Sequence, residues 1–594
     1  MATSTEPAVH RSGVWLLEPT KPGAIFTPER LTAEHRLVGQ TAAEFAAKEV
    51  GPALERLERR DWEFVRQLLK RCGELGLLGV DIPEAYGGAG LDKVSSLIVS
   101  GKIAPWASFA AAYGGQANLA AVPIFLFGTE HQKTTYLPSL MSGERVGAYA
   151  LSEPEAGSDA LSAKTRAARQ SDGSFMLTGE KMWITNGGFA DVFIVFAKVD
   201  GEHFTSFIVE RAFGGVSSGR EEHKMGLHGS STTSVLLQEV RIPAGNLLGE
   251  VGKGHKVAFN VLNFGRLKLG AACWGGAQSA IGEAARYAGT RRQFGRPIAS
   301  FGAIRHKIGE MVARTYALES LIFRLAGQID ACIERTARGA TDGPAVLAVL
   351  EEFAVESSIA KVAGSEVLDF VLDENVQIHG GNGFAGDYPA ERHFRDARVN
   401  RIFEGTNEIN RLLIPGLLAR RAAQGRLHVA DAARALRDEI LGPLRVPDPD
   451  DSVLADERRA VEAFKKVGVM VFGTAMETYG AELSEQQEVL MHVADILIDV
   501  LASESALLRA MTAAELPTPR ALLHQDAVRI FVSGAAMRIE AAARQALAAM
   551  TEGDRLRTML AALRRLLTTP TPVNAVLLRR RIADETVARG DYVF

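Results

Sequence analysis

The sequence predicts a mostly α-helical protein with a central β-domain, and three observations carry that reading. Apolar residues recur at spacings of three and four before about residue 145 and again after about residue 256. Between these stretches lie short runs rich in β-branched and aromatic residues: Ser174-Phe-Met-Leu-Thr, Val192-Phe-Ile-Val-Phe-Ala, Phe204-Thr-Ser-Phe-Ile-Val and Ser234-Val-Leu-Leu-Gln-Glu-Val. Turn clusters such as Ser171-Asp-Gly, Asn186-Gly-Gly and Asp200-Gly separate them, which predicts antiparallel strands.

In chain order, residues 1–30 form an N-terminal segment, and residues 31–145 a helical domain with breaks such as Tyr86-Gly-Gly-Ala-Gly. Residues 146–255 are the β-domain. Helical stretches near 256–289, 303–336, 346–378 and 405–424 suit a four-helix bundle over 256–425. Val446-Pro-Asp-Pro-Asp-Asp cannot continue a helix, so 426–455 is expected to be a linker. Residues 456–594 are a separate C-terminal helical domain. Its segments Ala463-Phe-Lys-Lys-Val-Gly-Val-Met-Val-Phe-Gly and Leu556-Arg-Thr-Met-Leu-Ala-Ala-Leu-Arg-Arg-Leu-Leu combine apolar faces with clustered basic residues. Such helices either lie in a bilayer interface or bury the apolar face in their own protein.

The 594 residues carry 71 acidic and 67 basic side chains, a net charge of −4, with 47% hydrophobic residues. This balance excludes nucleic acid as the main partner and excludes disorder for most of the chain. Cys72, Cys273 and Cys332 lie far apart, so no metal site or disulfide framework is expected. Met1-Ala-Thr-Ser-Thr-Glu-Pro has neither a secretory nor an Arg-rich transit pattern. The expectation is a cytoplasmic protein, peripheral at most to an inner membrane. Ile103 to Thr129 contains no charged residue, long enough for a membrane span. Pro105, Gly114, Gly115, Gln116, Asn118 and Pro123 interrupt it, so a buried hairpin or an apolar pocket wall is expected.

Several motifs carry chemistry. Leu151-Ser-Glu-Pro-Glu-Ala-Gly-Ser-Asp-Ala lets backbone N–H groups approach an anion or a ring closely. Trp183-Ile-Thr-Asn-Gly-Gly puts an aromatic face and a hydroxyl on one side of a strand, suited to a flat heterocycle. No G-x-G-x-x-G follows a strand, which counts against a Rossmann site. Arg291-Arg-Gln-Phe-Gly closes a helix and offers a guanidinium for a phosphate. Gln377-Ile-His-Gly-Gly-Asn-Gly-Phe offers another close backbone approach, with His379 read as a satisfied core histidine. In Arg401-Ile-Phe-Glu-Gly-Thr-Asn-Glu-Ile-Asn-Arg, Glu404 is either a buried base or a helix-capping or ion-paired carboxylate.

Together these strings, over residues 35–425, resemble the acyl-CoA dehydrogenase family, and Arg401-Ile-Phe-Glu-Gly-Thr-Asn with the C-terminal extension is most similar to its very-long-chain branch. The resemblance implies an N-terminal helical domain, a β-barrel-like domain and a four-helix bundle, with FAD between β-domain and bundle and across a homodimer interface. Tyr149 to Ser158 would form the first flavin loop, with Leu151 and Ser152 facing the isoalloxazine, Gly157 in the turn and Ser158 near pyrophosphate or pantetheine. Trp183, Ile184 and Thr185 would line the flavin, Thr185 near N5. Arg291, Gln293 and Phe294 would hold the adenosine half of the neighbouring subunit's FAD, joined there by Gln377, Gly380 and Gly381. Thr406 and Glu408 would clasp the FAD beside their own Glu404. Arg266 matches the arginine near CoA, with Asn263 where an aspartate is usual, and Phe403 and Gly405 flank the substrate. An ungapped alignment back from Pro123 puts Ala111 and Gly115 at the pocket floor, where small side chains admit long chains.

The implied reaction is α,β-dehydrogenation of a long-chain or very-long-chain fatty acyl-CoA to the trans-2-enoyl-CoA in fatty acid β-oxidation. Glu404 takes the α-proton and a β-hydride goes to flavin N5. Branches that place the base just before the CoA arginine would have it at Gly265, which cannot accept a proton. Electrons would pass to an electron-transfer flavoprotein. The rivals are an acyl-CoA oxidase that uses oxygen, and an assembly or scaffold relative that has lost activity.

Overall fold

The computed structural model describes residues 11–336, 342–442, 450–515, 520–568 and 573–594. Local chemistry sets the first helices, Ala33–Phe45, Trp62–Glu74 and Lys93–Ile103. Thr32, Asp61 and Asp92 each stand just before one and accept a hydrogen bond from the N–H three residues on. The charge-free run folds as a helix over Ala107–Gly114, wider π-type turns over Gly115–Ala120, and a helix over Ala121–Phe127. Its most apolar window is 78% buried inside the protein, so it serves as core rather than as a membrane span.

The β-domain is one sheet of β1 (Gly147–Ala150), β2 (Arg166–Arg169), β3 (Phe175–Thr185), β4 (Val192–Val199), β5 (His203–Glu210), β6 (Val216–Glu221), β7 (Thr232–Ile242) and β8 (Leu247–Leu248). The order is β6-β7-β3-β2-β4-β5-β8, with β1 also alongside β4. The expected antiparallel pairing is corrected to a mixed one, because β1 and β2 both run parallel to β4. Neither is joined to β4 by a tight hairpin; long connections through other strands separate them, as parallel pairs require.

Four long helices follow: Gly254–Thr290, Gly302–Thr336, Ala354–His379 and Asn407–Ala423. The linker expectation for 426–455 needs correction, since Val429–Leu441 is a helix that buries Val429 and Leu436. Residues 446–449 of the Pro- and Asp-rich stretch lie outside the described residues.

The C-terminal region consists of helices Ala455–Tyr479, Gln487–Glu515, Ala521–Met550, Gly553–Leu567 and Ala575–Arg589. It shares its core with the bundle: Cys273 and Tyr316 belong to the same hydrophobic cluster as Phe464, Leu497 and Ile539. The C-terminal helices therefore pack against the bundle through one shared core, and removing them would strip a wall of it. The membrane expectation loses its basis as well. Phe464, Val467 and Val471 of the first segment, and Leu563 and Leu566 of the second, are buried within the protein.

Candidate active site

Glu404 stands in the turn that feeds the Asn407–Ala423 helix, with φ +59°. A non-glycine residue holds this left-handed conformation only where its surroundings fix it. Arg266 donates from Nε to the Glu404 carbonyl (3.2 Å) and from Nη1 to Asn263 Oδ1 (3.1 Å). Asn410 Nδ2 donates to the carbonyls of Gly405 (2.9 Å) and Thr406 (3.0 Å), and Thr406 Oγ1 caps the helix at Ile409 N–H. Lys361, fully buried, donates to Asn407 Oδ1 at 2.6 Å.

The Glu404 carboxyl points inward although its backbone is partly open. Oε2 is sealed from solvent and has no hydrogen-bond partner among the described residues. It rests against Gly265: a Cβ there would lie 2.8 Å from Oε2 and 3.1 Å from Asn118 Nδ2. The side chain that glycine lacks leaves the space the carboxylate fills. Burial raises the Glu404 pKa to about 7, and the nearby charges of Arg266 and Lys361 pull against that rise. A carboxyl poised near neutrality and free of partners can act as a general base.

The two β-domain loops converge beside each other. Met182 N–H donates to the Ser152 carbonyl (2.9 Å), and Lys181 Nζ bonds Glu153 Oε1 (2.6 Å). That buried pair pins the loop, so Gly157 and Ser158 project into solvent at its tip. The β3–β7 register shifts between Lys181 and Ile184, and Trp183 in that bulge has φ +61° and is 56% exposed. The bulge turns the indole out of the sheet while Ile184 stays buried. Tyr149 on β1 is buried enough to push its phenol well above the ordinary range, with Glu404 adding to the rise. This links the first loop to the candidate base.

A second set lies elsewhere. Arg291, Gln293 and Phe294 sit at the far end of the Gly254–Thr290 helix, with Phe294 92% exposed. At 1.5 Å per residue, this end is roughly 39 Å from Gly265 along the helix. Gln377, Gly380 and Gly381 are close to it, because Tyr287 donates to the His379 carbonyl and accepts from Asn382. His379 itself is a core histidine, stacked on Tyr287 at 4.0 Å and bonded through Nδ1 to the Asn375 carbonyl. One chain thus gathers Glu404, Thr406, Glu408, Tyr149 and Arg266, and leaves the Arg291 and Gly380 set remote.

Beside Phe403 lies a cavity of about 120 Å³ walled by Ala107, Ala110, Ala111, Leu269 and Ala272. Gly115 does not line it, which corrects the pocket-floor reading. A Cβ at Gly115 would meet Asn186 Nδ2 at 3.0 Å and Thr185 Cγ2 at 3.3 Å. The π-type turn that begins at Gly115 rotates it toward the β-domain. Arg266 and Asn263 are also buried, Arg266 being turned to the Glu404 carbonyl and to Asn263. Asn118, Lys361, Asn407 and Asn410 belong to this site and were not legible as such. Asn118 sits beside Gln116 in the charge-free run and Lys361 among the serines of Ser357-Ser358-Ile-Ala-Lys361, and neither setting marks it as part of a site.

Comparison with known proteins places this geometry. Family models match residues 32–144 (acyl-CoA dehydrogenase, N-terminal domain), 148–240 (middle domain), 252–419 (C-terminal domain) and 463–565 (a second C-terminal domain model). A probable acyl-CoA dehydrogenase of Bacillus subtilis is 46% identical over 97% of both chains. The human mitochondrial very long-chain specific acyl-CoA dehydrogenase is 40% identical over 61% of this chain and 53% of its own. A crystal structure of an acyl-CoA dehydrogenase complexed with FAD from Bacillus anthracis superposes with a TM-score of 0.96 at 45% identity, covering 98% of this chain and 100% of that one.

Proposed function

The chain belongs to the acyl-CoA dehydrogenase family and is an FAD-dependent oxidoreductase; from that premise we propose that it converts long-chain or very-long-chain fatty acyl-CoA to trans-2-enoyl-CoA. The observation that carries this reading is the Glu404 carboxyl lodged against Gly265, its Oε2 sealed and unpartnered among the described residues, with a pKa near 7.

Glu404 takes the proton from the carbon next to the thioester carbonyl. That proton is too weakly acidic for an ordinary carboxylate, and burial narrows the gap by making Glu404 a stronger base. The Glu404 backbone N–H has no partner among the described residues and is available to the thioester oxygen, where charge develops. Arg266 keeps the turn in register and Lys361 holds the start of the following helix. Held by the Leu151–Ser158 loop and Trp183, bound FAD would supply the hydride-accepting and electron-relaying chemistry.

The residues present fit FAD. Trp183 offers an exposed ring face beside a loop tip, and a Cβ at Gly157, Gly380 or Gly381 would meet no atom within 4 Å, leaving room for close backbone approach. Leu151, Ser152, Ser158, Trp183 and Thr185 would hold one half. Arg291, Gln293, Phe294, Gln377, Gly380 and Gly381 would hold the other half from a second copy in a homodimer. Their remoteness from Glu404 in one chain supports that division. An electron-transfer flavoprotein is the proposed acceptor, and release of hydrogen peroxide during aerobic turnover at the full rate would favour an oxidase instead.

Small side chains at Ala107, Ala110 and Ala111 support long acyl chains, as does the likeness to a very-long-chain relative. Anaerobic titration with acyl-CoAs of graded length tests the reading: flavin bleaching is expected to be strongest with long chains. Ala111→Glu is expected to shift the optimum to shorter chains, because each methylene kept from burial forfeits about 0.8 kcal/mol. An unchanged length profile in that variant rejects the cavity as the acyl site.

A further inference from the structure

A larger chamber, about 730 Å³, lies behind the cavity beside Phe403. Pro105 and Ser279 line both. Around this shared wall the neighbouring residues are small: Ala104 on one side of Pro105, and Gly275 and Gly276 on the turn before Ser279. Pro105 and Ser279 are thus a wall common to the two spaces.

The chamber's walls are of two kinds. Ala43, Ile98, Trp106, Trp274, Phe323 and Phe594 give it an apolar lining. Its charged groups largely satisfy one another. Arg509 is held between Glu29 (2.8 Å) and Glu319 (2.6 Å), Tyr592 donates to Glu319 (3.0 Å), and Arg520 donates to the Val593 carbonyl (2.7 Å). His524 is bonded to Tyr316 (2.9 Å), and burial, then Arg509, keeps it neutral. Lys102 places its ammonium over the Trp274 ring at 5.9 Å. An alkyl chain passing along Trp106, Trp274 and Phe323 would leave these pairs intact and meet aromatic surface, while Lys102 and Asp591 also line the space. Arg509, Arg520, His524, Tyr592 and Phe594 all come from the C-terminal region, so that region builds the chamber's end wall.

We propose that this chamber receives the distal end of very long acyl chains, which pass between Pro105 and Ser279, so that the C-terminal helices set the upper limit of chain length. The proposal rests on the acyl-CoA reading above. The volume is in the range of sites that enclose whole small ligands, whereas the cavity beside Phe403 falls below it.

Ala43→Trp and Ala47→Trp each place an indole in the chamber from the N-terminal helices, away from Glu404. In the FAD-loaded full-length protein, the ratio of turnover with tetracosanoyl-CoA to that with dodecanoyl-CoA is expected to fall about ten-fold, the equivalent of two methylenes kept from burial. A measurement on the native protein needs no chamber-filling variant: tetracosanoyl-CoA carrying bromine on its terminal carbon is expected to quench tryptophan emission, and Trp106→Phe to remove part of that quenching. An unchanged ratio in both filled variants, or a terminal bromine that quenches no more in native protein than in Trp106→Phe, overturns the proposal. If no acyl-CoA of any length bleaches the flavin of native protein, the acyl-CoA reading falls and takes this proposal with it. Bleaching by dodecanoyl-CoA with no chamber effect refutes the chamber alone.

Discussion

Glu404→Gln is expected to keep its bound FAD and to lose flavin bleaching by acyl-CoA by several orders of magnitude. General-base catalysis alone contributes about 10²–10⁴-fold. No neighbour can replace the lost base, since Gly265 has no side chain and Arg266 and Lys361 are cations. In the native protein, bleaching is expected to rise as pH passes through about 7, where Glu404 ionises. The variant should show no such rise. The same carboxylate has a stability signature of opposite sign. Its folded pKa of about 7 lies above the ordinary 4.5, so folding disfavours ionisation and native stability falls as pH rises between those values. The full fall is on the order of 3 kcal/mol. Glu404→Gln removes it, and denaturant unfolding at pH 8 is expected to find the variant more stable than native protein. Near-normal bleaching, or no gain in stability at that pH, counts against the assignment.

Glu504→Ala is expected to destabilise the full-length protein by about 3–5 kcal/mol, because it strands two buried cations. Glu504, on Gln487–Glu515, meets Arg324 of the bundle at 2.8 Å and also accepts from Lys465. Arg324 is 2% exposed and also reaches Ser505 Oγ (3.2 Å) and Thr20 Oγ1 (3.2 Å). The cluster therefore ties the N-terminal segment, the bundle and the C-terminal helices together. Burial by itself would raise the Glu504 pKa, but Arg324 and Lys465 outweigh it and hold the carboxyl below its ordinary value. A depressed carboxylate stabilises above its unfolded pKa of 4.5 and loses that contribution as pH falls through the folded value. The gap between native and Glu504→Ala is thus expected to narrow in acid below about pH 4.5. Denaturant unfolding across that range checks it, and a neutral-pH difference under about 0.5 kcal/mol, the level of an ordinary surface change, contradicts it.

Much of the architecture was readable because the signals were local. Four β-rich runs became β3, β4, β5 and β7, and the long apolar periodicities became the bundle helices. Other features depended on contacts that a sequence does not display. The Val429–Leu441 helix was masked by the nearby Pro and Asp residues, although Val429 and Leu436 are spaced as one buried helical face. Gly115 was misplaced because a π-type turn adds a residue per turn, and an ungapped alignment cannot register that change. Lys361 reads as a solvated charge until Asn407, far along the chain, is seen to accept from it. Phe403-Glu-Gly pointed to the base, yet only the fold shows that Gly265 supplies its berth.

The most direct test of Glu404 as the α-proton base is solvent exchange at the α-carbon of an acyl-CoA whose β-carbon is replaced by sulfur, so that dehydrogenation is blocked. In deuterated buffer the native FAD-loaded protein is expected to wash deuterium into the α-position, and Glu404→Gln with FAD bound to leave it unlabelled. Labelling by the variant at the native rate would contradict the account.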